Sequence, residues 1–289
     1  MKDYVLITDN TCDLPDSFYK EHNIPLIMLP YSIGDTVYSL ENTIPLKDFY
    51  NLMREGTMPT TMACNPETYK DTFKKYLDEG KDILYLSFTS GLSSSYGNAI
   101  LAANELNEEY ENVKVVVADS LSASMGEGLL LYKIAKLKEE GKSLEEIVKY
   151  IQDNRLHVCH YVTVDDLHHL HRGGRVSKTT AIVGTLINVK PMIYLNDEGK
   201  LISYKNVRGR KKSLLTLVDS IAEHTEGYDG DNDVIMISHG DCLEDAEFVA
   251  NEVKKRFGTK EVIISLASQT IGTHTGPGLV AIFFMGNVR

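Results

Sequence analysis

Cysteine is scarce in this 289-residue chain: four copies, Cys12, Cys64, Cys159 and Cys242, lie far apart and form no CxxC pair. That usage predicts reduced thiols in a cytoplasm rather than a disulfide framework. Positive charge is also in short supply, with 30 Lys and Arg against 41 Asp and Glu, a formal net charge of -11. A surface of that sign repels phosphate backbones and argues against a nucleic-acid partner. No apolar run reaches the roughly 18 residues of a membrane-spanning helix. The opening MKDYVLITDN turns polar too soon for a secretion signal. What remains is an ordinary globular composition, 43% apolar and 25% charged, on a chain long enough for two domains.

The first half alternates strands and helices. YVLIT (4–8), IPLIML (24–29), DILYLSF (82–88) and VKVVVA (113–118) are short apolar runs rich in Val, Ile and Leu. Such runs suit a parallel sheet covered on both faces. Helical spacing recurs over 93–106 and 124–137, and Ser143 with Glu146 forms a capping box ahead of a third helix. The texture changes near residue 156. HVCHYVTV (157–164) reads as a strand, and NVKPMIYL (188–195) with KLISYKNV (200–207) reads as a hairpin around a Gly-containing turn. A helix from about 211 to 222, the strand DVIMIS (233–238), a helix carrying Ala246, Val249, Ala250, Val253 and Phe257, and the strands VIISLA and LVAIFF follow. The expectation is an α/β chain of two domains. Residues 1–155 form a three-layer domain around a parallel sheet, and residues 156–289 a two-layer domain with a mixed sheet.

Ligands of α/β sheets bind beyond the carboxyl ends of the strands. The polar loops there are Asp9-Asn10-Thr11-Cys12-Asp13, Thr89 to Ser95, Asp119-Ser120 and the segment around His274, with Met58-Pro59-Thr60-Thr61 preceding the second of them. The serine loop leads through Gly91 into a helix N-terminus, where free N–H groups and hydroxyls can hold an anion. Ser93 reads equally well as an N-cap. Asp9, Asp13 and Asp119 read first as turn and helix caps. Five histidines, at 157, 160, 168, 169 and 171, suggest a metal site at first sight, but without HExxH or a matching carboxylate pattern no metal is expected. In HRGGRVS (171–177) the paired glycines let Arg175 face an anion or a partner protein, or simply solvent. Ser93, His274 and Asp119 also leave open an esterase or thioesterase triad, although Gly91 to Ser95 departs from GxSxG at its last glycine.

Taken together, ITDNTCDLP, PTT (59–61), SFTSGLSSSYGNA, VVADSLSASMGEG, LHHLHRGGRVS, NVKPMI, NVRGRKKSL and GTHTGPG run in order along the chain, and the combination resembles the DegV family. The resemblance implies two α/β domains with a fatty acid held between them, and no cofactor beyond that ligand. It implies a non-enzymatic subunit of a fatty acid kinase system, which presents the carboxylate to a separate ATP-binding kinase subunit for acyl-phosphate formation. Transient membrane contact to acquire the lipid would accompany that role. By the same resemblance Thr61, Ser93 and His274 bind the carboxylate and Arg175 is an accessory or partner-facing residue. The chain departs from the family pattern at Met62-Ala63-Cys64, and at Ser94-Ser95 where Gly-Thr is common. A buried carboxylate must be hydrogen-bonded, and hydroxyls, helix N–H groups and an imidazole can do this. Each buried CH₂ of the tail adds about 0.8 kcal/mol.

Overall fold

The apolar runs of the first half pair side by side and in one direction. In the computed structural model, which describes residues 3–165, 167–177, 188–230, 232–287 and 289, β1 (Tyr4–Asp9), β2 (Leu26–Ile27), β6 (Asp82–Ser87) and β7 (Val115–Asp119) form a parallel sheet in the order β2-β1-β6-β7. Every residue of β6 is buried, as befits a central strand with both faces covered. Alternation sorts its side chains: Ile83 and Tyr85 face one cluster, Leu84 and Leu86 the other. The first cluster is closed by α3 (Pro66–Leu77) and α4 (Ser95–Glu109) through Tyr69, Phe73, Ala99 and Ala102. The second is closed by α5 (Met125–Glu139) and α6 (Leu144–Asn154).

The second sheet is mixed, in the order β10-β9-β8-β13-β11-β12. It contains β8 (Val158–Thr163), β9 (Val189–Leu195), β10 (Leu201–Arg208), β11 (Val234–His239), β12 (Glu261–Leu266) and β13 (Val280–Met285). Only the β11–β12 pairing is parallel. Two helices, α8 (Arg210–Thr225) and α9 (Leu243–Phe257), cover one face through Leu214, Leu217, Val218, Val249 and Val253. The other face is not bare. Val162, Ile193, Met236, Ala281 and Phe283 join the cluster that holds Leu84, Leu86 and α5. That position explains the sequence GEGLLLYKIA: of residues 125–135 only Tyr132 is not fully buried, as expected of a helix enclosed between two sheets. The expected dividing line at residue 155 lies in the 3₁₀ turn Arg155–His157, between α6 and β8.

A third, small sheet is absent from the sequence reading. β3 (Tyr31–Ile33), β4 (Thr36–Tyr38) and β5 (Thr60–Thr61) pair antiparallel in the order β4-β3-β5. Tyr31 stacks on Tyr38, and both pack with Phe49, Tyr50 and Met53, of which the last three belong to α2 (Leu46–Arg54). This unit is tied to the rest by Tyr50, whose hydroxyl donates to Ala267 O, and by Lys47 and Arg54, which both pair with Asp241. The remaining short helices are α1 (Asp16–Glu21), α7 (His168–Arg172) and α10 (Gln269–Thr275).

Candidate functional site

His274 lies in the last turn of α10, not on an open loop as the glycine-rich sequence suggests. Ser268 caps the helix by accepting from Ile271 N–H, and Gly276, at φ 73°, ends it. The flanking threonines turn their hydroxyls back into the helix: Thr273 donates to Gln269 O and Thr275 to Ile271 O. The imidazole is left to face elsewhere. Its Nε2 lies 2.8 Å from Thr61 Oγ1 of β5, and no hydrogen-bond partner of Nδ1 is found among the described residues. Gly173 packs directly on the ring, where a Cβ would collide with Nδ1. Burial, and after it the charges of Arg175 and Arg172, push the His274 pKa down to about 3. The ring is therefore a neutral hydrogen-bonding group near pH 7.

Ser93 sits in the turn between β6 and α4. Its hydroxyl donates to Ser95 Oγ at 2.9 Å and accepts from Ser95 N–H at 3.1 Å, while Ser95 Oγ accepts from Cys64 N–H. Ser93 thus serves the helix start, and it also links that start to the segment after Thr61. Arg175 follows the turn at Gly174, φ 74°. Its Nε donates to Leu92 O at 3.1 Å and its Nη1 to Gly173 O. The guanidinium is thereby laid against the serine loop, half-buried, and not presented as a free surface group.

These four residues line one pocket. Its apolar wall includes Leu29, Phe88, Val162, Ile193, Leu279 and Phe283, and it encloses about 950 Å³ of atom-free space, its open mouth included. The mostly apolar lining, with a few hydroxyls, an imidazole and a guanidinium on it, suits an elongated apolar ligand with one polar end. Thr61 and His274 are hydrogen-bonded to each other, and Arg175 is held nearby through Gly173 O, whose residue packs on the His274 ring, and through Leu92 O, next in sequence to Ser93.

The triad expectation fares differently. Nε2 of His274 is engaged with Thr61, the Ser93 hydroxyl with Ser95, and the Asp119 carboxylate with the N–H groups of Ser90 and Leu121. The structure brings Ser93 and His274 to one pocket without joining them as nucleophile and base. Asp9 caps the 3₁₀ turn Asn10–Cys12, as a strand-end Asp should. Among the described residues no group of three His, Cys, Asp or Glu is placed to hold a metal ion, and none of the four cysteines is in a disulfide. No helix among the described residues is long and apolar enough to cross a membrane. Sequence reasoning missed Ser124, His160 and Ser238, which line the same pocket. The available signal was a polar residue at an inward position of an otherwise apolar strand, as in VCHYVT and VIMISH.

Fold and site together define an α/β protein with a largely apolar pocket onto which Thr61, Ser93, His274 and Arg175 bring hydrogen-bonding groups. A family model described as an uncharacterised protein of the DegV family matches residues 4–287, and the chain belongs to that family. A DegV domain-containing protein of Clostridium perfringens is 39% identical over 291 residues, covering 100% of this chain and 99% of the relative. Among solved structures, a fatty acid binding DegV family protein of Streptococcus agalactiae superposes with a TM-score of 0.85 at 29% identity, over 99% of this chain and 100% of the other. A DegV family protein of Thermus thermophilus, described by its fatty acid binding, gives 0.86 at 26% identity, over 99% and 100%.

Proposed function

We propose that this chain binds a long-chain fatty acid. The tail fills the pocket between the two sheets, and the carboxylate is held by Thr61, Ser93 and His274. The observation that carries this reading is that Thr61, hydrogen-bonded to His274, and Ser93 all line one largely apolar pocket. Solved DegV proteins of S. agalactiae and T. thermophilus described as fatty acid binding support it. A carboxylate meets donors there without a full counter-charge, and Arg175 adds a positive field from its place on Leu92 O. As a neutral ring His274 donates through one nitrogen and accepts through the other, so its N–H is available to a carboxylate oxygen.

The second half of the proposal is delivery. The protein carries no catalytic residue of its own. It presents the carboxylate to a separate ATP-using kinase subunit in the cytoplasm, which forms the acyl phosphate, after brief membrane contact to collect the lipid. This half rests on the family's character. The division into units 1–155 and 156–289, with the ligand at their junction, belongs to the same reading.

Mass spectrometry of small molecules extracted from the purified, folded protein tests the first half. A stoichiometric fatty acid is expected, and a Thr61→Ala, Ser93→Ala double variant should retain far less. Normal retention by that variant would overturn the site. For the second half, the protein is incubated with ATP and the kinase encoded beside or apart from it, and acyl phosphate is trapped with hydroxylamine. Hydrolysis of acyl esters by the chain alone, lost in Ser93→Ala, would instead establish an esterase.

A further inference from the structure

The pocket contains a second polar group, on the wall contributed by the six-stranded sheet. Strand register sets out this wall. One row across it is Ser238, Ala281, Val162 and Ile193; the next is Met236, Phe283 and His160. Val234 and Met236 share Ser238's face of β11 and belong to the central apolar cluster, so Ser238 stands where the pattern calls for a third apolar side chain. Beside it, Ala281 and Ala123 are small, which leaves a notch among larger neighbours such as Phe283 and Ile193. His160 borders the notch but is fully engaged: one ring nitrogen meets Val158 O and the other accepts from Ala123 N–H.

Ser238 is not engaged in that way. Its one hydrogen-bond partner among the described residues is Ser124, at 2.9 Å, and Ser124 lies 2.5 Å from Asp13 Oδ2. Ser124 has donor geometry toward both neighbours and a single hydroxyl hydrogen to give. The other carboxyl oxygen of Asp13 accepts from Ser268 N–H, so a proton held by Asp13 sits on Oδ2. With Asp13 ionised Ser124 donates to its Oδ2; with Asp13 protonated there the bonds run as a relay from Asp13 to Ser124 to Ser238, and in both cases Ser124 is the group with donor geometry toward Ser238. Burial, the largest influence on Asp13, pushes its pKa up to about 7, in keeping with a proton held there. The relay also accounts for a strained backbone. Ser124 sits at φ 53° and ψ -144°, a region that L residues avoid, and its two hydrogen bonds hold it there. No acceptor for the Ser238 hydroxyl hydrogen is found among the described residues, and its row of the wall, Ala281, Val162 and Ile193, is apolar.

We infer that Ser238 donates a hydrogen bond to an oxygen carried within the tail of the bound acid, so that the pocket selects hydroxy or oxo fatty acids over unsubstituted ones. This rests on the fatty-acid reading above. An apolar tail would leave the donor unpaired against hydrocarbon, which is unfavourable, whereas an in-chain oxygen satisfies it.

Competition binding with stearic acid, 10-hydroxystearic acid, 12-hydroxystearic acid and 10-oxostearic acid tests this, with the lipid-stripped full-length protein. At least one oxygenated acid is expected to bind about tenfold tighter than stearic acid. Ser238→Ala should abolish that advantage while stearic acid binds at least as tightly as to the native protein, which also shows that the variant is folded. Asp13→Asn should keep the advantage, because its amide donates to Ser124 in the same direction. Equal or weaker binding of all the oxygenated acids by the native protein overturns the inference and leaves the fatty-acid reading standing. So does an advantage that survives Ser238→Ala. Failure of all four acids to bind overturns both.

Discussion

Thr61 and His274, 213 positions apart in the chain, meet at 2.8 Å on the lining of the pocket. One belongs to a strand of two residues and the other to a helix of seven. Replacing the threonine by alanine removes the imidazole's partner and, on the proposed reading, a donor for a bound carboxylate. A hydrogen bond to a charged group is worth about 1.5–3 kcal/mol, so Thr61→Ala should weaken fatty-acid binding at least tenfold in a calorimetric titration. Thr61→Ser, which keeps the hydroxyl, should restore most of the affinity.

His274 gives a pH signature. Its folded-state pKa of about 3 lies below the ordinary value of 6.5. Between those values the unfolded chain takes up a proton that the folded one refuses, so stability falls as pH drops through that window. The penalty at pH 5 is about 2 kcal/mol. Urea unfolding at pH 7.5 and pH 5 should show a smaller loss for His274→Gln than for the native protein, by about that amount. An identical loss would mean that the ring is not held neutral.

Gly173 has φ -72°, a backbone that any residue adopts, so alanine there meets no conformational barrier. The added Cβ would instead run into Nδ1 and Cε1 of His274. Gly173→Ala should therefore shift the imidazole away from Thr61 and cut fatty-acid affinity severalfold. A crystal structure of the variant with an unmoved ring, or affinity equal to native, would contradict the packing described.

Arg289 is half-buried and points its guanidinium at backbone oxygens of Val158, Leu121, Asn196 and Arg155 and at Ser122 Oγ. These lie on segments of both sheets' surroundings, so one side chain stitches the 121–122 loop to β8 and to the β9–β10 turn. Arg289→Ala leaves several part-buried acceptors short of a donor and should cost on the order of 2 kcal/mol, read as a lower urea midpoint with an unchanged slope.

Much of this architecture is legible from residue order because the main strands are short apolar runs. β1, β6, β7, β8, β11, β13 and the β9–β10 hairpin fall where Val, Ile and Leu cluster. The small sheet does not announce itself. Its strands are two or three residues long, and one face, with Ser32, Val37 and Thr60, is exposed, so no apolar period can build up. α10 was hidden for a different reason: Gly272 and Gly276 bracket His274 and mimic a loop, and only Ser268 betrays the cap. The meeting of Thr61, Ser93 and His274 spans too much chain for any local pattern and was foreseen through family resemblance. The Asp13–Ser124–Ser238 contacts, spanning 111 and 114 positions, had no such guide.

The small sheet that carries Thr61 has a consequence for the lifetime of the molecule. A unit of three short strands and one helix opens at lower cost than the two large cores, and anything that binds across it adds to the cost of opening. If the pocket holds a fatty acid as proposed, occupancy couples Thr61 and its small sheet to the two large cores and should slow proteolytic nicking within residues 30–61.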